Sequence, residues 1–298
     1  MALAATIVTI AAVAVLAAGC GSSSPSTAAS GAGPARGHGN VDLLYAASLE
    51  DLVNRLVAPA FHRATGYTLR GYPAGSKDLA NEIKGGIRRG DVFISASPKV
   101  NAKLEGAANG GWVSWYAPFA STSLVLGYNP HSSFAAQLRT RPWYAVIAKP
   151  GLRLGFTDPK LDPKGQLAVA ALQAASSRYG RPALARIASD QSDLFPEQDL
   201  VGRLQAGELD AGLFYTVEAS AAKIPTVSLA PVSESASYTI TVLHRAPDPG
   251  GAVALVRFLL GPRGRSLLRS VGLTVIAAPR ATGSGLPATL HPVIRAPR

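Results

Sequence analysis

The stretch VDLLYAASLEDLVNRLVAPAF at 41–61 decides the fold class. Val41 to Ala46 is a short apolar run bounded by turn-type residues, which predicts a buried strand. From Ser48 onward the apolar residues Leu49, Leu52, Val53, Leu56, Val57 and Phe61 recur at helical spacing. Ser48 is therefore expected at the N-cap of a helix, with Glu50 and Asp51 in the first turn, where the helix dipole favours acids. Gly66 is expected to end it.

The same unit recurs downstream. Thr68 to Tyr72 reads as a strand, Gly75 and Ser76 as a turn and cap, and Leu79, Ala80 and Ile83 as the inner face of a helix ending at Gly85 and Gly86. Asp91 to Ser95 reads as a third strand, with Pro98 near a helix start. Strands alternating with helices imply right-handed crossovers and an α/β fold, with a mostly parallel sheet and helices on both faces. An aromatic-rich stretch, Trp112 to Phe119, marks a crossover, after which a second series begins. Ser123 to Tyr128, Leu152 to Thr157, Ala211 to Tyr215 and Thr226 to Leu229 are its expected strands. Helices are expected from about Gln166, after a loop at Asp158 to Gly165, and over Asp199 to Gln205. Tyr238 to Leu243 returns to the first series. Helices at Gly251 to Leu260 and Arg263 to Val271 follow, and from Pro279 the Pro- and Arg-rich tail is expected to lie on the surface.

Working back to the N-terminus, Ile7 to Ala18 is apolar and is followed by Gly19 and Cys20, with no charged residue among the first 19. That order is the layout of an export signal (1–19) cut at a cysteine that becomes lipidated. The alternative, an uncleaved membrane helix, has too few apolar residues for a span of about 20. The chain has 1 Cys in 298 residues, which excludes an intrachain disulfide and any Cys-based metal site. Residues 20–40, rich in Gly, Ser, Ala and Pro, read as a lipid-anchored flexible linker.

About 280 residues remain, enough for two lobes of ordinary domain size. A hydrophobic content of 47% with 16% charged residues excludes a disordered chain. The net charge of +11 attracts anions. The basic residues are dispersed, with no aromatic-interleaved motif, so no nucleic-acid partner is expected.

Catalytic motifs are missing. There is no Gly-x-Ser-x-Gly elbow and no His-Glu-x-x-His helix, and GYPAGSK at 71–77 has the wrong spacing for a phosphate loop. What remains are two strand-to-helix turns carrying hydroxyls, at Ser48 and Ser76. Each offers a Ser O–H and free backbone N–H groups at a helix N-terminus, a means of binding an anion without a counter-charge. Both lie at the carboxyl ends of strands, where open α/β sheets bind ligands. No enzymatic activity is expected. A hydrolase using Ser48 or Ser76 is the rival reading, and no motif places a base near either. A surface interaction protein that has lost its ligand is a third.

Ala47-Ser48-Leu49, Gly75-Ser76-x-x-Leu79-Ala80 and the run Gly90 to Ala96 (GDVFISA) resemble the periplasmic molybdate/tungstate-binding proteins of ABC transporters. The likeness continues through Ser123 to Leu126, Asp162-Pro163-Lys164-Gly165 and Gly207 to Tyr215. It implies a two-lobed periplasmic-binding-protein fold of type II with two interlobe crossovers. Lobe 1 would be 41–120 plus 231–298 and lobe 2 would be 121–230, hinged near 119–122 and between 229 and 238. The resemblance further implies a monomer without cofactor, holding molybdate or tungstate for a membrane permease, with sulfate or phosphate as alternatives. Its ligand contacts would be the Ser48 and Ser76 hydroxyls, the backbone N–H of Lys164, and Tyr215, with no metal except that of the oxyanion. Such a donor-only site would reject protonated ligands by leaving their O–H unpaired. In one branch of the family Asp and Glu carboxylates complete a six-coordinate metal. Asp162 stands at that Asp position, whereas the Glu position is Phe214, with Glu197 and Glu218 near it in sequence but out of register. Tetrahedral and six-coordinate binding therefore both stay open.

Overall fold

Strand β1 (Asn40–Ala46) is almost continuously apolar because both faces of its sheet are covered. Leu43 and Tyr45 pack into the main core while Leu44 between them packs into a second cluster with Leu79, Ile83 and Phe93, the period-2 alternation of a strand with cover on both sides. The computed structural model describes residues 37–297 other than 191 and 193. The expected signal, Cys20 and the linker as far as residue 36 lie outside the described residues. No helix among those described is long and apolar enough to cross a membrane.

The strands that follow are β2 (Thr68–Ala74), β3 (Val92–Ser95), β4 (Trp115–Tyr128), β5 (Leu154–Thr157), β6 (Leu194–Phe195) and β7 (Ala211–Tyr215). After them come β8 (Thr226–Ser228), β9 (Ser235–Val242), β10 (Thr274–Val275) and β11 (Thr282–Gly283). The main order is β2-β1-β3-β9-β4-β7-β5-β6, with β8, β10 and β11 on β4. Strands joined through helices pair in parallel, β2 and β3 on β1, and β6 and β7 on β5. The connecting strands β4 and β9 run antiparallel to their neighbours.

β4 is the backbone of the arrangement. Ala117 to Ser123 pairs with β9, and Leu124 to Tyr128 pairs with β7. One strand thus belongs to two groups of strands, and β9 brings the chain back beside it. The expected crossover from Trp115 to Phe119 and the expected strand at Ser123 to Tyr128 are parts of this single 14-residue strand, with Trp112 to Ser114 preceding it. A register shift between Pro118 and Ala120 interrupts its ladder with β9.

The first helical run covers 47–65 and includes a π turn at Val53–Val57. Gly66 closes it in the left-handed conformation at φ 87°. The later helices that position the site are Ser76–Lys84, Pro163–Tyr179, Glu197–Gln205 and Thr216–Ala221. The Pro163–Tyr179 helix begins three residues before the expected Gln166, because Pro163 takes the first helical position, where a missing N–H is harmless. The tail beyond Pro279 does more than cover the surface: Leu290 and Ile294 are fully buried.

Gly165 sets how closely the Pro163–Tyr179 helix approaches the end of β5. A Cβ there would lie 2.2 Å from the Thr157 carbonyl oxygen and 2.6 Å from the Pro159 nitrogen. Gly165→Ala should therefore lower unfolding stability by about 1–3 kcal/mol, as overpacking does. A urea-denaturation midpoint equal to wild type would contradict this packing.

Candidate functional site

The expected site residues meet in the seam where the first helical run and the Ser76–Lys84 helix face the elements that follow β5 and β7. Ser48 is not an N-cap as the sequence predicts. The helical run starts two residues earlier, with Ala46 as the cap, which carries the Ser48 side chain inward to 2.8 Å from the Tyr238 hydroxyl. The Ala47 N–H is satisfied instead by Glu197 Oε2, at 3.0 Å across the seam.

Ser76 likewise follows its cap, Gly75, and is fully buried. Its Oγ accepts the Ala96 N–H at 3.0 Å, which leaves its own proton available to donate. The N–H groups of Lys77 and Asp78, expected to be free for an anion, both donate to the Leu161 carbonyl at 3.0 and 3.1 Å. Gly75 permits this clasp, since a Cβ there would lie 2.8 Å from that same oxygen.

Asp162 caps the Pro163–Tyr179 helix, its Oδ1 accepting the Lys164 N–H at 3.0 Å. The backbone N–H of Lys164, expected to face a ligand, is thereby engaged, because an Asp cap followed by Pro leaves that amide as its nearest donor. The other oxygen, Asp162 Oδ2, is buried and has no hydrogen-bond partner among the described residues. Tyr215, at the end of β7, presents a buried hydroxyl that is also without a partner among the described residues, and its ring meets that of Tyr238 edge-on at 6.2 Å. Phe214 points to the opposite face of β7, into a cluster with Leu200 and Leu204.

The centre of the site is charged, which the donor-only expectation did not anticipate. The Lys164 ammonium is fully buried, 2.7 and 2.9 Å from the two Glu218 oxygens and 3.5 Å from Glu197 Oε1. Glu218 also accepts the Tyr215 N–H at 2.7 Å. Burial alone would lower the Lys164 pKa, but the carboxylates of Glu218, Glu197 and Asp162 outweigh it and hold the ammonium above its ordinary range. Three buried carboxyls share this one cation. Burial raises the pKa of Asp162 and of Glu218, partly offset in each case by Lys164. Glu197, raised by burial and then by the charge of Asp162, reaches about 8.

Glu197 also lines two hollows in the seam. One, of ≈ 640 Å³, is lined by Ser48, Asn54, Glu218 and Lys223; the other, of ≈ 290 Å³, by Gly75, Thr157, Leu161 and Asp162. Sequence reasoning placed Glu197 and Glu218 near the site but gave them no role, and it missed Tyr238. Glu218 was findable from its place in the first turn after Tyr215, where an acid caps free amides. Tyr238 reaches Ser48 only through the β9 crossover, which no local pattern reveals. No His is a hydrogen-bond partner of Ser48 or Ser76 among the described residues.

Residues 41–274 match the family model of bacterial extracellular solute-binding proteins, and the chain belongs to that family. Membership makes it an extracytoplasmic solute-binding protein. A Haloferax volcanii protein named for molybdenum binding in an ABC transporter is 30% identical over 215 residues, covering 70% of this chain and 67% of its own. The molybdate-binding protein ModA of Mycobacterium bovis is 27% identical over 257 residues, 85% of this chain and 90% of that one. The solved periplasmic molybdate-binding protein of Azotobacter vinelandii superposes with a TM-score of 0.64 at 19% identity, over 79% of this chain and 99% of its own, which establishes a shared fold.

The raised Glu197 pKa fixes the sign of a pH effect. The folded protein holds a proton at Glu197 up to about pH 8, whereas the unfolded chain releases it near the ordinary value of 4.5. Its contribution to stability is thus fully present below that ordinary value and is lost as pH rises through about 8. Glu197→Gln, which mimics the protonated form, should flatten the fall in melting temperature across this window. Parallel pH profiles for variant and wild type would contradict the assignment.

Proposed function

We propose that the chain captures a tetrahedral dianion, molybdate or tungstate, in the seam and delivers it to the membrane permease of an ABC importer. In this reading 41–120 plus 231–298 and 121–230 act as two lobes closing on the ion, and a lipidated Cys20 anchors the protein to the membrane. Binding without catalysis is its role. The observation that carries this reading is the convergence in one seam of Ser48, Ser76 and Tyr238 hydroxyls with a buried, unpartnered Tyr215 hydroxyl. The names of the Haloferax and Mycobacterium relatives support the same ligand class.

The carboxyls modify the chemistry. Two unit charges 4 Å apart at an effective dielectric of 20 repel by about 4 kcal/mol, and a dianion doubles this. A dianion entering beside ionised Asp162 and Glu197 is therefore disfavoured, whereas protonated carboxyls are hydrogen-bond donors to it. Capture is accordingly linked to proton retention at Glu197. Direct bonding of Asp162 Oδ2 to the metal is the other way to relieve the repulsion. A second reading has its own observation. Unpartnered carboxylate oxygens accept the O–H of a protonated oxyanion, so hydrogen phosphate is the competing ligand.

Calorimetric titration with molybdate, tungstate, sulfate and phosphate separates these readings. Molybdate or tungstate should bind most tightly. Ser48→Ala and Ser76→Ala should each weaken binding by about 1.5–3 kcal/mol, roughly 10- to 150-fold, through loss of a donor to a charged ligand. Preference for phosphate would favour the second reading, and wild-type affinity in both variants would move the site elsewhere.

A further inference from the structure

Apart from the seam, a hollow of ≈ 370 Å³ is lined by Lys77, Lys84, Lys103 and Lys160, with Asn81 and Asn109 beside them. No carboxylate lines it, and none of these lysines takes part in an ion pair among the described residues. The hydrogen bonds seen for two of the ammoniums go to neutral acceptors. Lys84 Nζ donates to Asn109 Oδ1 at 3.0 Å, and Lys77 Nζ donates to the Pro159 carbonyl at 2.7 Å. Burial and then the nearby Lys103 charge hold the Lys77 ammonium below its ordinary pKa, against the opposing pull of Asp162 and Asp158.

The four lysines come from three places in the fold. Lys77 and Lys84 lie at the two ends of the Ser76–Lys84 helix, Lys103 follows the Pro98–Ala102 helix, and Lys160 stands on the loop after β5. We propose that this hollow is a second anion site, taking a soluble oxyanion that carries several charges, such as a condensed phosphate. Lysine ammoniums are point charges on long flexible stems, suited to separated oxygen groups rather than to one compact tetrahedron. The volume fits a ligand of several groups. Lys77 adjoins Ser76 and Lys160 precedes Asp162 by two residues, so the occupant lies beside the clasp of Lys77 and Asp78 on Leu161, outside the seam hollows. An anion held there favours the clasped arrangement and so couples reciprocally to the seam ligand.

The test is calorimetric titration of the full chain with tripolyphosphate at fixed ionic strength. Wild type should bind one tripolyphosphate saturably and more tightly than sulfate at this site. The double variant Lys84→Gln/Lys103→Gln should bind it at least about tenfold more weakly, since two charge-assisted contacts are removed. Ser48→Ala/Ser76→Ala should bind tripolyphosphate as wild type does, which separates this site from the seam. Equal affinity in the lysine variant, absence of saturable binding, or loss of binding in the serine variant would each overturn the proposal. None of these results depends on which ion the seam takes.

Discussion

The Lys164 ammonium, fully buried among Glu218, Glu197 and Asp162, is the interaction on which the rest of the site depends. Its partners arrive from three separate places: the start of the Glu197–Gln205 helix, the first turn after β7, and the cap of Lys164's own helix. Each carboxyl has a second task. Glu218 holds the Tyr215 amide, Glu197 holds the Ala47 amide across the seam, and Asp162 caps the helix. A buried charge left without a partner is strongly destabilising, so these elements are fixed relative to one another by the need to keep Lys164 paired.

The strands supply the frame for that cluster. β4 and β9 pair with each other and reach both groups of parallel strands, so Tyr215 and Tyr238 come to lie edge to face. The close approach of the Pro163–Tyr179 helix at Gly165 sets the depth of Asp162 and Lys164. Gly75 does the same on the facing side, letting the Ser76 turn close on Leu161. Buried hydroxyls and carboxyls are thus brought close together, where electrostatic effects are strong.

Much of the frame was legible in the sequence because its strands are apolar runs separated by helices of regular period. The strands at 41–46, 68–72, 91–95 and 211–215 lie within a residue or two of those observed. The crossover was blurred because Trp112 to Phe119 is aromatic where Ser123 to Tyr128 is aliphatic, so one strand looked like two. Short helices at Ala135–Thr140 and Trp143–Val146 gave no periodic signal over so few residues. Ser48, Ser76, Asp162, Lys164 and Tyr215 were singled out by the order of motifs, and the fold brings them to one seam. Their bonding was not legible. Whether a helix-start N–H stays free depends on what crosses the seam, and Leu161 and Glu197 are distant in the chain from the amides they engage. The lysine hollow was illegible for the same reason, since Lys160 joins Lys77 and Lys103 only through the tertiary fold.

A dianion entering this seam beside Glu197 requires that carboxyl to hold its proton. Calorimetric titration of molybdate in buffers of different ionisation enthalpy counts the protons exchanged on binding. Close to pH 8, where Glu197 is about half protonated in the free protein, roughly half a proton or more should be taken up per ion bound. Binding of molybdate at that pH with no proton uptake would contradict the claim.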